Sequence, residues 1–190
     1  IPNVKNEEAQ MSTRPLYDEE LRPQFHFSPK ENWTNDPNGM VYYKGTYHLF
    51  FQHNPVGINW GNMTWGHSVS SDMVHWEEIE DAIVPDELGT IFSGTATVDW
   101  NNSAGFQVGD EKTIVASYTY CGSCEQFGDP GPDEPFTQAI AYSTDGGKTF
   151  TKYSGNPVLE NIAGGGDRDP KVFWHEPSKK WVMLLYLDYK

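Results

Sequence analysis

From Phe25 onward the chain alternates short apolar segments with turns rich in Gly and Pro. Segments 47–51 (YHLFF), 113–118 (TIVASY) and 181–186 (WVMLLY) are short and rich in β-branched or aromatic side chains, which is typical of strands. No stretch places apolar residues at helical spacing over three turns. The pattern predicts an almost all-β domain over residues 25–190, preceded by a polar tail or N-terminal strap over residues 1–24.

These strands belong to a repeat. With Tyr47, Ile114 and Val182 taken as equivalent, the three segments follow one another at spacings of 67 and 68 residues. Each is preceded by another predicted strand, and these preceding strands begin near Gly39, Gly94 and Pro170. A recurrence at a fixed spacing of this length indicates a structural repeat rather than a chance likeness of single strands.

Two further strands around a tight turn complete the first two repeats. Residues 67–78 (HSVSSDMVHWEE) and 140–152 (IAYSTDGGKTFTK) each end a strand in Ser/Thr-Asp and begin the next one near an aromatic residue. The Asp suits that corner because its carboxylate can accept hydrogen bonds from turn N–H groups. Residues 143–150 also match the Asp-box hairpin of several propellers. Recurring sets of four strands predict propeller blades, whereas the strands of a β-sandwich would not recur in matched sets of four.

The repeat is incomplete within these 190 residues. They contain two predicted blades and half of a third, and the last residues lie within a predicted strand. A propeller closes with about four to eight blades. We therefore expect this chain to be part of a larger propeller, with the remaining blades as its partner.

Charge and composition narrow the classes of function. Thirteen Lys and Arg against 27 Asp and Glu give a formal charge of −14, which argues against nucleic acid or an anionic membrane as partner. No apolar run approaches about 18 residues, so no membrane span is predicted. Aromatic residues make up 14% of the chain, which suits an all-β protein that handles carbohydrate. Cys121 and Cys124 lack nearby zinc ligands; a local disulfide and two free thiols both remain open.

Two carboxylates have surroundings that suggest chemistry. Asp36 and Asp169 each precede Pro at the start of the first strand of a blade, and Pro restricts the backbone beside it. Since first strands line the channel of a propeller, we expect the two carboxylates to converge there, with Phe92 and Ser93 at the equivalent position of the second blade. Converging carboxylates beside aromatic rings are typical of glycosidases. A plain turn around Asp36 and a surface ion-pair cluster over 167–169 are the alternatives.

The segment from Phe25 to Trp181 resembles glycoside hydrolase family 32, the invertases, inulinases and levanases. NWTNDPNG at residues 32–39 is similar to the family motif WMNDPNG. Further blocks match in the same order: FFQHNP at 50–55, WG at 60–61, WGHSVSSD at 65–72, FSG at 92–94 and RDP at 168–170. The resemblance implies a five-bladed propeller, usually followed by a β-sandwich domain, of which this chain is the N-terminal part.

The resemblance also implies a reaction and a set of site residues. Asp36 would attack the anomeric carbon of a β-fructofuranosyl unit of sucrose, inulin or levan, giving a covalent fructosyl-enzyme and retention of configuration. Asp169 would stabilise the transition state through the sugar hydroxyls, with Arg168 beside it. The remaining residues of the implied fructose pocket are Asn35, Gln52, Trp60, Phe92 and Ser93. No metal or organic cofactor is implied.

Two departures from the family pattern qualify this picture. Thr34 stands where the family usually has Met, beside the implied nucleophile. The family's acid/base, a Glu in a Glu-Cys motif, has no counterpart in these 190 residues. We therefore expect this chain alone to be neither stably folded nor active, and the intact parent to be a secreted, periplasmic or cell-surface enzyme. A fructosyltransferase using the same intermediate and a non-catalytic fructan-binding protein are the alternative functions.

Overall fold

In the computed structural model of the protein, residues 16–122, 124 and 135–189 are described. Within these ranges the secondary structure consists of strands and turns, and there is no helix that could cross a membrane. Most of the expected N-terminal strap, residues 1–15, lies outside the described part. The strands are β1 (Trp33–Tyr43), β2 (Thr46–Asn54), β3 (Thr64–Ser70), β4 (Glu77–Ile83), β5 (Thr90–Asp99), β6 (Thr113–Cys121), β7 (Thr137–Ser143), β8 (Thr151–Lys152), β9 (Arg168–His175) and β10 (Lys180–Tyr186).

The strands form three antiparallel sheets in chain order. Blade 1 is β1-β2-β3-β4, blade 2 is β5-β6-β7-β8, and the third sheet is the pair β9-β10. Each strand pairs with its neighbour in the sequence, as in a propeller blade. The predicted all-β architecture of two and a half blades is confirmed.

The first strands of the three sheets lie together at the centre. A cavity of about 320 Å³ is lined by residues 37–40 of β1, Leu49 of β2, Gly94 and Thr95 of β5, and Lys171 of β9. β5 contacts both β1 and β9 across the sheets, so the three first strands occupy the innermost position, and each later strand lies further out. This arrangement brings the N-terminal ends of the three strands to one end of the channel.

Blades 1 and 2 pack through a shared apolar core. Phe50 and Trp65 of blade 1 and Ile91 and Tyr118 of blade 2 are fully buried in one cluster. The Trp65 indole Nε1–H donates a 2.9 Å hydrogen bond to the Phe92 carbonyl, so this ring both fills the core and holds the next blade in register. Burying its N–H without a partner would be costly, which the bond avoids.

Each of the two complete blades has an Asp at the corner of a hairpin, as the sequence predicted. In blade 1 the Asp72 carboxylate accepts hydrogen bonds from the backbone N–H groups of Val74 and His75. In blade 2 the Asp145 carboxylate accepts bonds from those of Lys148 and Thr149. The repeat therefore extends to the role of the corner Asp, although the donors lie two and three residues after Asp72 and three and four residues after Asp145.

A buried histidine pair lies inside blade 1. His48 Nδ1 is 3.0 Å from His67 Nε2, and the His67 ring stacks on Phe50. Burial, and secondarily the neighbouring His48, lowers the pKa of His67 to about 3; burial also lowers the pKa of His48. Among the described residues, no hydrogen-bond partner reaches His48 Nε2 or His67 Nδ1. Both rings are therefore held neutral in the fold.

This pair predicts that the fold is sensitive to acid. Below about pH 6.5 the unfolded chain binds a proton on each ring, whereas the folded chain keeps His67 neutral down to about pH 3, so the unfolding free energy decreases as the pH falls from 6.5 towards 3. His67 contributes a slope of up to about 1.4 kcal/mol per pH unit over this range, and the lowered pKa of His48 acts in the same direction. In urea unfolding of the intact protein between pH 7 and pH 4.5, His67→Gln should give a shallower slope than the native protein. His26→Gln, in the exposed segment before β1, is the control and should leave the slope unchanged; equal slopes for both variants would contradict the prediction.

Candidate active site

Asp36, Ser93 and Asp169 occupy equivalent irregular positions in the three innermost strands. The pairing skips Asp36 between Asn35 and Pro37 of β1, and it skips Ser93 between Phe92 and Gly94 of β5. In β9 the register also shifts between Arg168 and Lys171, where Asp169 lies. A β-bulge turns a side chain out of the ladder and is common beside active sites. The bulges therefore aim three polar side chains into the mouth of the channel.

The backbone at the two carboxylates is unusual. Asp36 has φ +20° and Asp169 has φ +61°, both outside the conformations that side-chain-bearing residues ordinarily adopt. Such residues persist only where their surroundings hold them. Asp36 is the fourth residue of β1 and Asp169 is the second residue of β9, and a register shift lies at each of them, so the bulge sets the direction of both carboxylates.

One pocket contains all eight residues that the resemblance implies for catalysis and fructose binding. Its lining residues are Asn35, Asp36, Gln52, Trp60, Met63, Phe92, Ser93, Arg168 and Asp169. Blade 1 provides five of them, blade 2 provides Phe92 and Ser93, and the third sheet provides Arg168 and Asp169. Met63 is the residue that sequence reasoning missed: it is 1% exposed and lies between two matching blocks, where no motif marks it.

A hydrogen bond between blades orients the first carboxylate. The Ser93 hydroxyl donates to Asp36 Oδ2 at 3.0 Å, and the Asn38 side-chain amide donates to the Asp36 carbonyl at 3.1 Å. The remaining carboxylate oxygen, Oδ1, is then the one that can face a bound molecule. The pocket therefore presents a carboxylate with a restricted direction.

The second carboxylate lies next to a cation. Arg168 Nε is 3.7 Å from Asp169 Oδ2, and the guanidinium is held over the Tyr186 ring and donates to the Gly166 carbonyl. Partial burial raises the pKa of the Asp169 carboxyl; the Arg168 charge opposes this rise and the Asp36 charge adds to it. The two carboxylates therefore interact electrostatically across the pocket.

The surroundings of Asp167 do not fit the alternative that residues 167–169 form a surface ion-pair cluster. Its side chain is fully buried, and its carboxylate accepts hydrogen bonds from the backbone N–H groups of Ile162, Ala163 and Asp188. These bonds lower the pKa of Asp167 against the opposing effect of burial. Asp167 therefore lies in the interior and holds the backbone that precedes Arg168 and Asp169.

Two aromatic rings, Trp60 and Phe92, line one side of the pocket, and a third ring and a disulfide pack behind them. Phe92 packs edge-on against Trp60 at 6.1 Å and against Phe136 at 5.5 Å between ring centroids. Behind them lies the disulfide between Cys121 and Cys124, fully buried in the same cluster. The structure thus decides between the two alternatives that the sequence left open for these cysteines. In the described residues, no group of three or more His, Cys, Asp or Glu side chains is placed to hold a metal ion.

We predict that this disulfide stabilises the fold modestly, because it closes only a short loop. Loss of the loop-closure effect should lower the unfolding free energy of a Cys121→Ser/Cys124→Ser variant by about 2 kcal/mol. Chemical denaturation of the intact protein measures this. Cys121→Ser alone is the control and should match the double variant, since either change breaks the bond. An unchanged denaturation midpoint in both variants would show that the bond contributes nothing.

Comparison with known proteins identifies the family. The model for the N-terminal domain of glycosyl hydrolases family 32 matches residues 26–188. The chain belongs to glycoside hydrolase family 32. The levanase of Bacillus subtilis (strain 168) is 57% identical over 169 residues, and the extracellular exo-inulinase of Aspergillus awamori is 45% identical over 183 residues.

Solved structures show the same family relationship. The exo-inulinase from Aspergillus awamori superposes with a TM-score of 0.78 at 44% identity, covering 89% of this chain and 36% of that one. The β-fructofuranosidase from Schwanniomyces occidentalis complexed with fructosyl-erythritol gives 0.75 at 43% identity, covering 90% and 31%. The matched region is 89% of this chain but 24% of the levanase, and 88% of this chain but 34% of the exo-inulinase. The chain thus spans about a quarter to a third of these family 32 relatives.

Proposed function

We propose that this chain provides the nucleophile and most of the fructose pocket of a retaining β-fructofuranosidase acting on sucrose or fructans. The observation that carries the proposal is the convergence of Asp36 and Asp169, from different blades, on one pocket, with Asp36 oriented by Ser93. The names levanase, exo-inulinase and invertase among the relatives support the substrate class.

In the first step Asp36 acts as the nucleophile. Its Oδ1 attacks the anomeric carbon of the fructosyl unit, the bond to the leaving oxygen breaks, and a covalent fructosyl ester forms. The Ser93 hydroxyl, donating to Oδ2, keeps the carboxylate facing the sugar. In the second step the acid/base group that protonated the leaving oxygen takes a proton from water, which attacks the same carbon and releases the Asp36 carboxylate, so that the configuration is retained.

Asp169 and Arg168 stabilise the charge that develops on the sugar. As the leaving group departs, the sugar ring becomes oxocarbenium-like. The hydrogen bonds that a carboxylate accepts from the ring hydroxyls become stronger in that state. Burial raises the pKa of the Asp169 carboxyl, and the positive charge of Arg168 opposes this rise and so favours the ionised form. The aromatic side formed by Trp60 and Phe92 gives the sugar an apolar surface.

The leaving oxygen also needs a proton donor, which we assign to a Glu in the part of the enzyme beyond these residues. The relatives are about three to four times longer than the matched segment, and in a retaining enzyme the donor stands about 5–5.5 Å from the nucleophile. Without the donor the rate would fall by about 10²–10⁴-fold. We therefore expect the 190-residue chain alone to release no measurable fructose. The extracellular exo-inulinases among the relatives support an extracellular location for the enzyme.

Product analysis of the full-length protein tests this function. Incubation with sucrose, inulin and levan should yield free fructose from at least one of them. Longer oligosaccharides as the main product would instead identify a fructosyltransferase. A folded protein that binds fructan but forms neither product would overturn the proposal in favour of a binding protein.

A further inference from the structure

We infer that three buried side chains of blade 2, Thr95, Thr119 and Gln138, act as positioning residues for Asp169. We call these three residues the blade 2 clamp. The inference rests on the proposed function, in which Asp169 stabilises the transition state. It adds residues that neither line the pocket nor belong to any of the matching sequence blocks.

The clamp holds the backbone on both sides of Asp169. Thr119 Oγ1 accepts a 3.2 Å hydrogen bond from the Asp169 N–H. On one side the Gln138 Nε2–H donates to the Asp167 carbonyl at 2.9 Å. On the other side the Thr95 hydroxyl donates to the Pro170 carbonyl at 2.8 Å.

The clamp side chains are buried and joined to one another. The exposed fraction is 6% for Thr95, 0% for Thr119 and 1% for Gln138. The Thr119 hydroxyl donates to Gln138 Oε1 at 2.6 Å, which leaves its oxygen to accept from the Asp169 N–H. Each polar group thus has one defined role, and a buried network that is fully satisfied is rigid.

Asp169 needs such support because its backbone is strained. A φ of +61° costs free energy for a residue with a side chain and persists only when the surroundings hold it. The Asp169 side chain is about half exposed, at 52%, and its Oδ2 forms an ion pair with Arg168 Nε at a distance of 3.7 Å. The backbone bonds from blade 2, rather than contacts of the carboxylate, therefore fix its direction.

A similar link between blades 1 and 2 supports this interpretation. Trp65, in the third strand of blade 1, donates to the Phe92 carbonyl beside the bulge at Ser93. Gln138, in the third strand of blade 2, donates to the Asp167 carbonyl shortly before the bulge at Asp169. In both cases a third-strand side chain of one blade holds the bulge of the next blade. The bond from Gln138 is thus the blade 2 counterpart of the bond from Trp65 in blade 1.

The test compares near-isosteric variants in the full-length enzyme. Thr119→Val removes the hydroxyl and keeps the shape, and it should lower kcat/KM by about 10–100-fold, since small displacements of a catalytic group have effects of this size. Thr119→Ser keeps the hydroxyl and should stay within about threefold of the native enzyme. Thr113→Val, on the same strand, is the matched control. Its hydroxyl is buried, with no hydrogen-bond partner among the described residues, and its loss should leave kcat/KM unchanged.

A double-mutant cycle shows whether Thr119 acts through Asp169. In an Asp169→Asn background, Thr119→Val should cost far less than in the native background, because the positioned carboxylate is already gone. Equal costs in both backgrounds would mean a merely structural role and would overturn the inference. So would a Thr119→Val enzyme that matches Thr113→Val.

Hydrogen exchange provides a readout that does not depend on activity. Thr119→Val should speed exchange of the Asp169 amide, whereas Thr113→Val should not; unchanged exchange would contradict the clamp. If the native protein releases no fructose, the proposed function fails while this measurement still decides on the clamp. If Thr119→Val does not fold, Thr95→Val tests the blade 2 clamp through the hydrogen bond to the Pro170 carbonyl. Thr95→Ser is then the control.

Discussion

Replacing Asp36 by Asn is expected to lower fructose release by the full-length enzyme by on the order of 10⁴-fold or more. The amide keeps the shape of the side chain and can still lie beside the Ser93 hydroxyl. It cannot form the ester with the anomeric carbon, because a neutral amide is a very weak nucleophile. Initial rates on sucrose, inulin and levan measure the loss, and sugar affinity should change much less than kcat.

The exposed Asp110→Asn makes the same chemical change away from the pocket and is the control for this prediction. It should retain native kcat and KM. A residual rate in Asp36→Asn within about tenfold of the control would remove Asp36 from the chemical step.

The second large effect is expected from Asp169→Asn. Loss of the charge that stabilises the oxocarbenium-like centre should lower kcat by about 10²–10³-fold. The covalent intermediate should still form, only slowly, since Asp36 and Ser93 are untouched. Single-turnover kinetics separate this slow formation from weak binding.

Asp18→Asn, in the exposed segment before β1, is the control for the Asp169 variant and should behave as the native enzyme. Should Asp169→Asn raise KM alone and leave kcat intact, Asp169 would bind substrate without stabilising the transition state.

The fold was largely predictable because short segments of the sequence identify the strands and turns, and these segments recur at a nearly constant spacing. Strand-length apolar segments, turns with Asp at the corner and a repeat spacing of 67 and 68 residues together predicted blades. Asp36 and Asp169 were identified for the same reason: each has the same neighbour, Pro, at the same point of a repeat. Ser93 followed from its equivalent position in blade 2.

What the sequence did not predict depends on contacts between blades. The bond from the Asp169 N–H to Thr119 joins residues 50 positions apart, and the bond from Thr95 to Pro170 joins residues 75 apart. Thr and Gln in a strand look like ordinary polar positions until the next blade is packed against them. The buried pairing of His48 with His67 likewise depends on the register of β2 on β3, which periodicity alone does not fix.

Mass spectrometry of the covalent intermediate tests the central claim most directly. The full-length enzyme is quenched with acid during turnover of sucrose and digested, and the peptides of β1 are examined. We predict a peptide carrying one fructosyl group on Asp36, absent from the Asp36→Asn enzyme and formed more slowly by Asp169→Asn. Turnover by the native enzyme with the fructosyl group on another residue, or with inversion of the anomeric configuration of the product, would contradict the assignment of Asp36 as the nucleophile.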